Sequence, residues 1–262
     1  MKLIEIWRYP VKSMLGEELQ QANVTPNGLE GDRQWAVIDA KSRVSLSAKR
    51  YAELLRCRAR TSDGNVIITL PNGDEYPVDS VEAWRELSEF LERDVEMCSA
   101  DAAETIQHEF PTAVTEGGGD PFLYEPGTKA FVDCAPLHLL TTATLAELRR
   151  LQPSSVFHRA RFRPNFLVET DESGFLENSW VNNDVTLGSL QCRVIDHTQR
   201  CVMTTRAQDD LPRDIEVIRT ILKNNAGNVG VALRSSGTGS LSIGAEVSVQ
   251  IKRTTSSMGD SA

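Results

Sequence analysis

The apolar residues of this chain stand in short runs that Gly, Pro, Asn and Asp cut off before a helix of ordinary length can form. Runs of that kind, bounded by turn residues, are strands. Leu3, Ile4, Ile6 and Trp7 lead into Tyr9-Pro10, and Trp35-Ala36-Val37-Ile38-Asp39 and Val44-Ser45-Leu46 follow. Val66 to Leu70 and Glu75 to Val78 flank Pro71-Asn72-Gly73-Asp74, a hairpin in which Asn-Gly supplies the positive φ angles of a tight turn. Phe166 to Glu169, Val185 to Leu187 and Val247 to Ile251 are further strands. Leu190, Cys192 and Val194 alternate with Gln191 and Arg193, the period of a half-buried strand.

Three helices interrupt the strands. Asp79, with Glu82 three residues on, caps the first, which carries Trp84, Leu87 and Leu91 on one face. Thr144 and Glu147 start the second ahead of Leu148 and Leu151. The third follows Pro212, with Ile215, Ile218 and Ile221/Leu222 at helical spacing, and ends near Asn224-Asn225. Each stripe reads as core packing. Many short strands with few helices predict a mainly β or α+β barrel, not a doubly wound sheet. Asp101 to Tyr124, with Gly117-Gly118-Gly119 inside it, reads as an inter-domain connection or a mobile loop beside the site, and residues 254–262 read as a flexible tail.

The charge balance excludes one class of partner. With 28 Lys+Arg against 37 Asp+Glu the net charge is -9, and a general nucleic-acid binder needs the opposite excess. A local basic pocket for one small anion remains open. Five cysteines (Cys57, Cys98, Cys134, Cys192, Cys201) stand far apart without a CxxC, so no zinc ribbon or iron–sulfur cluster is expected in this chain. His197 and Cys201 are four apart, but strand and loop patterns surround them, which argues against a zinc pair. Arg8 and Pro10 interrupt the N-terminus too early for a signal peptide, and no run approaches the roughly 18 apolar residues of a membrane span. The expectation is a cytoplasmic, reduced protein away from the membrane.

Chemistry-bearing residues cluster at the strand ends: Tyr9-Pro10-Val11-Lys12-Ser13, Gly28-Leu29-Glu30-Gly31-Asp32-Arg33, Asp133-Cys134-Ala135-Pro136, Arg161-Phe162-Arg163-Pro164-Asn165 and Gln199-Arg200-Cys201. A lone Arg or Lys is by default a solvated charge. Taken together, Lys12, Arg33 and Arg163 suit a polyanion, with Ser13 and Asn165 adding neutral hydrogen bonds. Cys201 beside Arg200 is in an electropositive setting that favours thiolate, either as a nucleophile or as a ligand for a soft metal.

At these residues the chain resembles a known family. Tyr-Pro-Val-Lys-Ser followed by Gly-Leu-Glu-Gly-Asp-Arg-Gln-Trp-Ala-Val-Ile-Asp is similar to the N-terminal β-barrel domain that accompanies MOSC domains (molybdenum cofactor sulfurase C-terminal). Arg-Phe-Arg-Pro-Asn, Trp180, Gly188 and Arg-Cys-Val-Met-Thr-Thr resemble the MOSC domain itself, so the likeness runs from about Leu3 to Ile251. It implies two β-barrel-like domains, with the first over 1–98, a connection over 99–129, the MOSC domain over 130–253 and the tail after it.

The resemblance also implies a molybdenum cofactor, a pyranopterin phosphate whose dithiolene holds the metal. By analogy with amidoxime-reducing members, Cys201 would be the protein ligand to molybdenum, and Cys201 and Asp133 the residues at the reacting centre. Lys12, Ser13, Arg33, Arg163 and Asn165 would hold the pterin and its phosphate. Asp133, Cys134 and Ala135 would line the metal, with Gln199 and Arg200 completing the wall. The implied reaction is reduction of an N-hydroxylated or otherwise N-oxygenated small molecule. No ferredoxin-type Cys-x4-Cys-x2-Cys pattern is present, so the expected electron donor is a separate protein of ferredoxin or flavoprotein type. Amidoxime-reducing members have small hydroxyl residues where this chain has Cys134-Ala135, and Cys134 reads as a buried small residue in preference to a functional thiol. A second reading makes the protein a sulfur carrier or cofactor-handling protein with a persulfide on Cys201. A third makes it a cofactor-binding module without turnover.

Overall fold

The computed structural model describes residues 1–102, 107–110, 122–124, 130–132 and 135–251. The N-terminal part runs through β1 (Lys2–Arg8), β2 (Glu17–Leu19), β3 (Gln21–Thr25), β4 (Gly28–Leu29), β5 (Trp35–Asp39) and β6 (Val44–Ser45). It continues with β7 (Arg58–Ser62), β8 (Asn65–Thr69), β9 (Glu75–Pro77), helix α1 (Val81–Phe90), β10 (Val95–Ser99), β11 (Gln107–Phe110) and β12 (Phe122–Tyr124). Then come β13 (Leu137–Thr141), α2 (Thr142–Leu151), β14 (Phe166–Glu169), β15 (Asp184–Leu187) and β16 (Leu190–Gln199). The chain ends through α3 (Glu216–Asn225), β17 (Asn228–Ser235), β18 (Gly239–Ser242) and β19 (Val247–Gln250). The protein is mostly β, as its sequence pattern predicts.

The largest sheet has the order β19-β15-β16-β17-β13-β14-β1-β2. The first strand of the chain therefore belongs to the sheet built by the C-terminal half, with Lys2 opposite Glu169 and Ile6 opposite Phe166. Strands β13 and β14 run parallel, and α2 supplies the crossover that parallel pairing requires. The sheet curls on itself. Leu3 N–H donates to the Ala245 carbonyl at 2.9 Å, Gly244 N–H to Leu3 at 2.7 Å and Val247 N–H to Met1 at 2.9 Å, joining the start of β1 to the approach to β19. Leu3, Ile6, Leu137, Phe166, Val185, Val194 and Val231 fill the interior. Leu145 and Leu148 of α2 and Val217 and Ile221 of α3 pack with Phe157 and Phe162 in a second layer. The N-terminal part has its own core of Val37, Leu54, Leu55, Ile68 and Leu87, beneath the sheets β10-β5-β6-β11-β12 and β7-β8-β9.

Several local expectations shift. Ser80, not Asp79, caps α1: its Oγ accepts the Ala83 N–H at 3.1 Å. Helix α2 begins before Thr144, because Thr141 Oγ1 accepts the Thr144 N–H at 3.2 Å; Glu147 pairs with Arg150 on the exposed face instead. The two threonine hydroxyls at that helix start both donate at 2.7 Å to the buried Glu177 carboxylate, which fixes the start where sequence spacing did not. The β8–β9 hairpin forms in the expected place, but Gly73 alone has positive φ (+93°). Leu70 and Asp74 close a longer loop, through Leu70 N–H to Asp74 O and Gly73 N–H to Leu70 O, both at 2.9 Å. Within the expected 101–124 connection, β11 pairs antiparallel with β12 and parallel with β6. Gly117-Gly118-Gly119 lies outside the described residues. No helix among the described residues is long and apolar enough to cross a membrane.

Candidate functional site

The ends of β1, β4 and β14 converge on one buried carboxylate, Asp32. Its Oδ1 accepts the Tyr9 N–H at 2.7 Å. Its Oδ2 accepts Asn165 Nδ2 at 3.1 Å and pairs with Arg33 Nη1. The Asn165 amide also donates to the Trp7 carbonyl at 3.2 Å and accepts the His138 N–H at 3.1 Å. Asn165 is completely buried and stitches β1, β13 and β14 together behind the cationic residues.

The guanidinium groups of Arg33 and Arg163 lie 4.6 Å and 4.2 Å from the centroid of the buried Tyr9 ring, a cation–π arrangement that holds two like charges against one aromatic face or edge. Arg163 Nη1 donates to the Met14 carbonyl at 2.6 Å, and Arg33 Nη2 to the Arg163 carbonyl at 3.3 Å. Arg200 Nη2 donates to the Phe162 carbonyl at 2.8 Å. Burial, then repulsion from Arg33, lowers Arg163 to about 10, with Arg200 contributing in the same direction and Tyr9 and Asp32 opposing. Burial and the Arg200 charge push His138 down to about 3, although its Nε2 lies 3.1 Å from the Val229 carbonyl. The imidazole is therefore neutral in its interior position. A cluster that disfavours its own positive charges to this degree is a place where an added anion is stabilised.

Three of the nine non-glycine residues with left-handed backbone among the described residues fall in this site. Ser13, Arg33 and Arg163 have left-handed φ angles of 68°, 50° and 52°, conformations that cost a side-chain-bearing residue roughly 1–2 kcal/mol each. Such residues gather at functional sites, where the surrounding fold over-determines them.

Lys12 is buried at the β5 edge, where its N–H donates to the Trp35 carbonyl at 2.8 Å. Ser13 Oγ accepts the Ala48 N–H at 3.0 Å, which brings buried Lys49 to the neighbourhood. Gln199 is exposed at the end of β16, and Ala135 is half-buried on the approach to β13. Cys201 is half-buried, and its carbonyl accepts the Thr204 N–H at 3.1 Å and the Thr204 hydroxyl at 3.0 Å, opening a short turn over Val202–Thr205. Asp133 and Cys134 lie outside the described residues. Tyr9 and Asp32 stand in the strand-end runs of the sequence without a role of their own, and His138 stands outside those runs. Asp32 stands in the Gly-Asp-Arg run beside Arg33, which was a usable signal. His138 carries none, since only β13–β17 pairing places it there.

Residues 1–114 match the MOSC N-terminal beta barrel domain, and residues 126–248 match the MOSC domain. The chain is a MOSC-domain protein. Among proteins similar to this MOSC protein is mitochondrial amidoxime reducing component 2 of Bos taurus, 24% identical over 223 residues covering 77% of the chain. The Homo sapiens protein of the same name is 25% identical over 223 residues, with the same coverage. The MOSC chain spans 65% of the length of these relatives, just under two thirds. In three dimensions it is similar to the YUAD protein from Bacillus subtilis, with a TM-score of 0.50 over 96% of both chains at 8% identity, a likeness of fold alone.

Proposed function

We propose that this MOSC protein holds a molybdenum cofactor and reduces N-oxygenated small molecules with electrons from a separate redox protein. The observation that carries the reading is the cluster of Arg33 and Arg163 against the buried Tyr9 ring, with Arg200 bonded to the Phe162 carbonyl and adjacent to Cys201; burial first, and then repulsion from Arg33, lowers Arg163 to about 10. The relatives named amidoxime reducing component support the reaction class.

The residues present fit such a group. A phosphate suits the excess of positive charge, and a half-buried thiol is a soft donor of the kind a high-valent thiophilic metal takes. Lys12, Arg33, Arg163 and Arg200 would neutralise the phosphate, with Ser13 contributing its hydroxyl. Asp32 and Asn165 orient Arg33 and tie it to β14, so that the positive charges are fixed before the anion arrives. Cys201 would ligate the metal; Asp133, Cys134, Ala135 and Gln199 are assigned to the wall by family resemblance. The bound cofactor supplies a two-electron couple. Cleaving one N–O bond consumes two electrons and two protons and releases water. The chain's part is to position the cofactor and to limit access of water and competing ligands.

The test is elemental and pterin analysis of wild-type protein and Cys201→Ala purified from a cofactor-competent host. About one molybdenum per chain in wild type, lost in Cys201→Ala, together with reduction of an N-hydroxylated test compound, is expected. Metal-free wild type refutes the reading. A gain of one sulfur on Cys201 in that metal-free protein establishes the sulfur-carrier alternative, and retained molybdenum without turnover establishes the binding module.

A further inference from the structure

Two residues before Arg163, the chain places an arginine that the site itself does not use. Arg161 is 1% exposed, and four hydrogen bonds occupy its guanidinium. Nε donates to the Val156 carbonyl at 2.9 Å, and Nη1 to the Thr204 carbonyl at 3.2 Å and the Arg206 carbonyl at 3.3 Å. Nη2 donates to the Pro212 carbonyl at 2.7 Å. Three of the four acceptors belong to the segment that follows Cys201. The side chain thus spans both ends of the loop from 204 to 212 and anchors it to the 156–161 stretch.

The rest of that loop is fixed from other sides. Arg206 Nη2 donates to the Lys49 carbonyl at 3.1 Å, and Met203 packs against the N-terminal core. Asp214 N–H donates to the Thr205 carbonyl at 2.9 Å. Upstream, Arg200 N–H donates to the Gly227 carbonyl at 2.8 Å. Cys201 sits between these restraints, and two arginines tie its surroundings to the segment carrying Arg163 and Asn165: Arg200 from upstream, through the Phe162 carbonyl at 2.8 Å, and Arg161 from downstream, through the loop that follows. We infer that Arg161 is a positioning residue: by binding the carbonyls of Thr204, Arg206 and Pro212 it sets the place of Cys201 relative to the arginine cluster.

The chemistry demands a guanidinium. Its donors are spread over a rigid planar fork and reach four oxygens in three directions, whereas a lysine ammonium offers three donors from one point. Arg161→Lys keeps the charge and loses the span. The bearing on molybdenum rests on the function proposed above; the placement of Cys201 does not, and it can be read in metal-free protein.

The experiment measures alkylation of each cysteine by iodoacetamide in metal-free wild type, Arg161→Lys and Arg161→Ala, followed by peptide mass spectrometry. Cys57, Cys98 and Cys192 are buried and serve as internal controls. A positioning role predicts that Cys201 labels about tenfold faster in both variants while the control cysteines do not change, as loss of several local hydrogen bonds without global unfolding would produce. A merely stabilising role accelerates all the cysteines together and is rescued by lysine; that result, or unchanged Cys201 labelling in folded variants, overturns the inference. Hydrogen exchange of the wild-type amides of Thr204, Arg206 and Asp214 gives a reading that needs no variant. Protection equal to that of β13 and β17 is expected, and exchange about a hundredfold faster than those strands also overturns it. Absence of molybdenum in wild type would refute the proposed function and leave both readings intact.

Discussion

His138 gives the sharpest test of the electrostatics in the site. Its ordinary value of 6.5 falls to about 3 in the fold, first because it is buried and second because Arg200 lies near it. A base with a depressed folded-state pKa takes up its proton first in the unfolded chain. Its contribution is therefore complete above pH 6.5 and is lost as the pH falls from 6.5 toward 3. At about 1.4 kcal/mol per pH unit, lowering the pH to 5 removes about 2 kcal/mol, and the limit near pH 3 is about 5 kcal/mol. His138→Gln removes the titration while leaving an amide able to donate to the Val229 carbonyl. Urea unfolding of metal-free wild type and variant at pH 7.5 and pH 5 measures the difference. Wild type should lose about 2 kcal/mol more than the variant between these two values. Parallel losses in the two proteins would refute the reasoning, because they would mean that the buried imidazole does not resist protonation. Comparing the two proteins also cancels every other group that titrates in this range.

Gly230 and Glu177 offer independent checks. Gly230 has φ +78°, and an added Cβ would stand 2.2 Å from His138 Nε2 and 2.6 Å from the Leu139 carbonyl. Gly230→Ala should therefore destabilise by about 3 kcal/mol or more, combining left-handed strain with overpacking, and a loss below about 1 kcal/mol by urea titration contradicts the described β13–β17 contact. Burial raises the Glu177 carboxyl above its ordinary range, with the Thr141 and Thr144 hydroxyls opposing. Its favourable contribution is complete below the ordinary carboxylate value and is lost as the pH rises through the raised one. Glu177→Gln should accordingly flatten the pH dependence of Tm on that side and leave the protein no less stable at pH 8. A variant clearly less stable than wild type at pH 8 shows that the ionised carboxylate is favourable where it sits.

How far the sequence could be read follows from where each residue lies. Strands with one wet face announce themselves: Leu190, Cys192 and Val194 alternate with polar neighbours and form β16. The 66–78 hairpin and the third helix are equally plain. The central strands β13 and β17 are buried along nearly their whole length, so Leu137–Thr141 and Asn228–Ser235 have no alternation to read. Helix starts lie one to three residues from where the sequence spacing puts them, because Asp, Ser and Thr compete for the cap and, at the second helix, the buried Glu177 selects Thr141. Of the site, Arg33, Arg163 and Arg200 were legible as basic residues at strand ends, whereas Arg161 in the same run looked equivalent to Arg163 and is buried for a different purpose.

The sequence by itself determined a mainly β chain with few helices, an acidic net charge with a few cationic residues grouped in particular strand-end runs, and the family those runs belong to. It could do so because strand periodicity and turn chemistry are local properties of a few consecutive residues. Only the tertiary structure decided that the first strand completes the sheet of the last domain, that one carboxylate, Asp32, joins Asn165 to Arg33, that His138 is held neutral nearby, and that Arg161 binds the Cys201 loop instead of joining the arginine cluster. These features depend on residues far apart in the chain, 23 positions in the Tyr9–Asp32 hydrogen bond, 43 in Arg161–Thr204 and 167 in the Lys2–Glu169 pairing, and on burial that changes the free energy of a charge. Neither quantity is present in any short stretch of sequence.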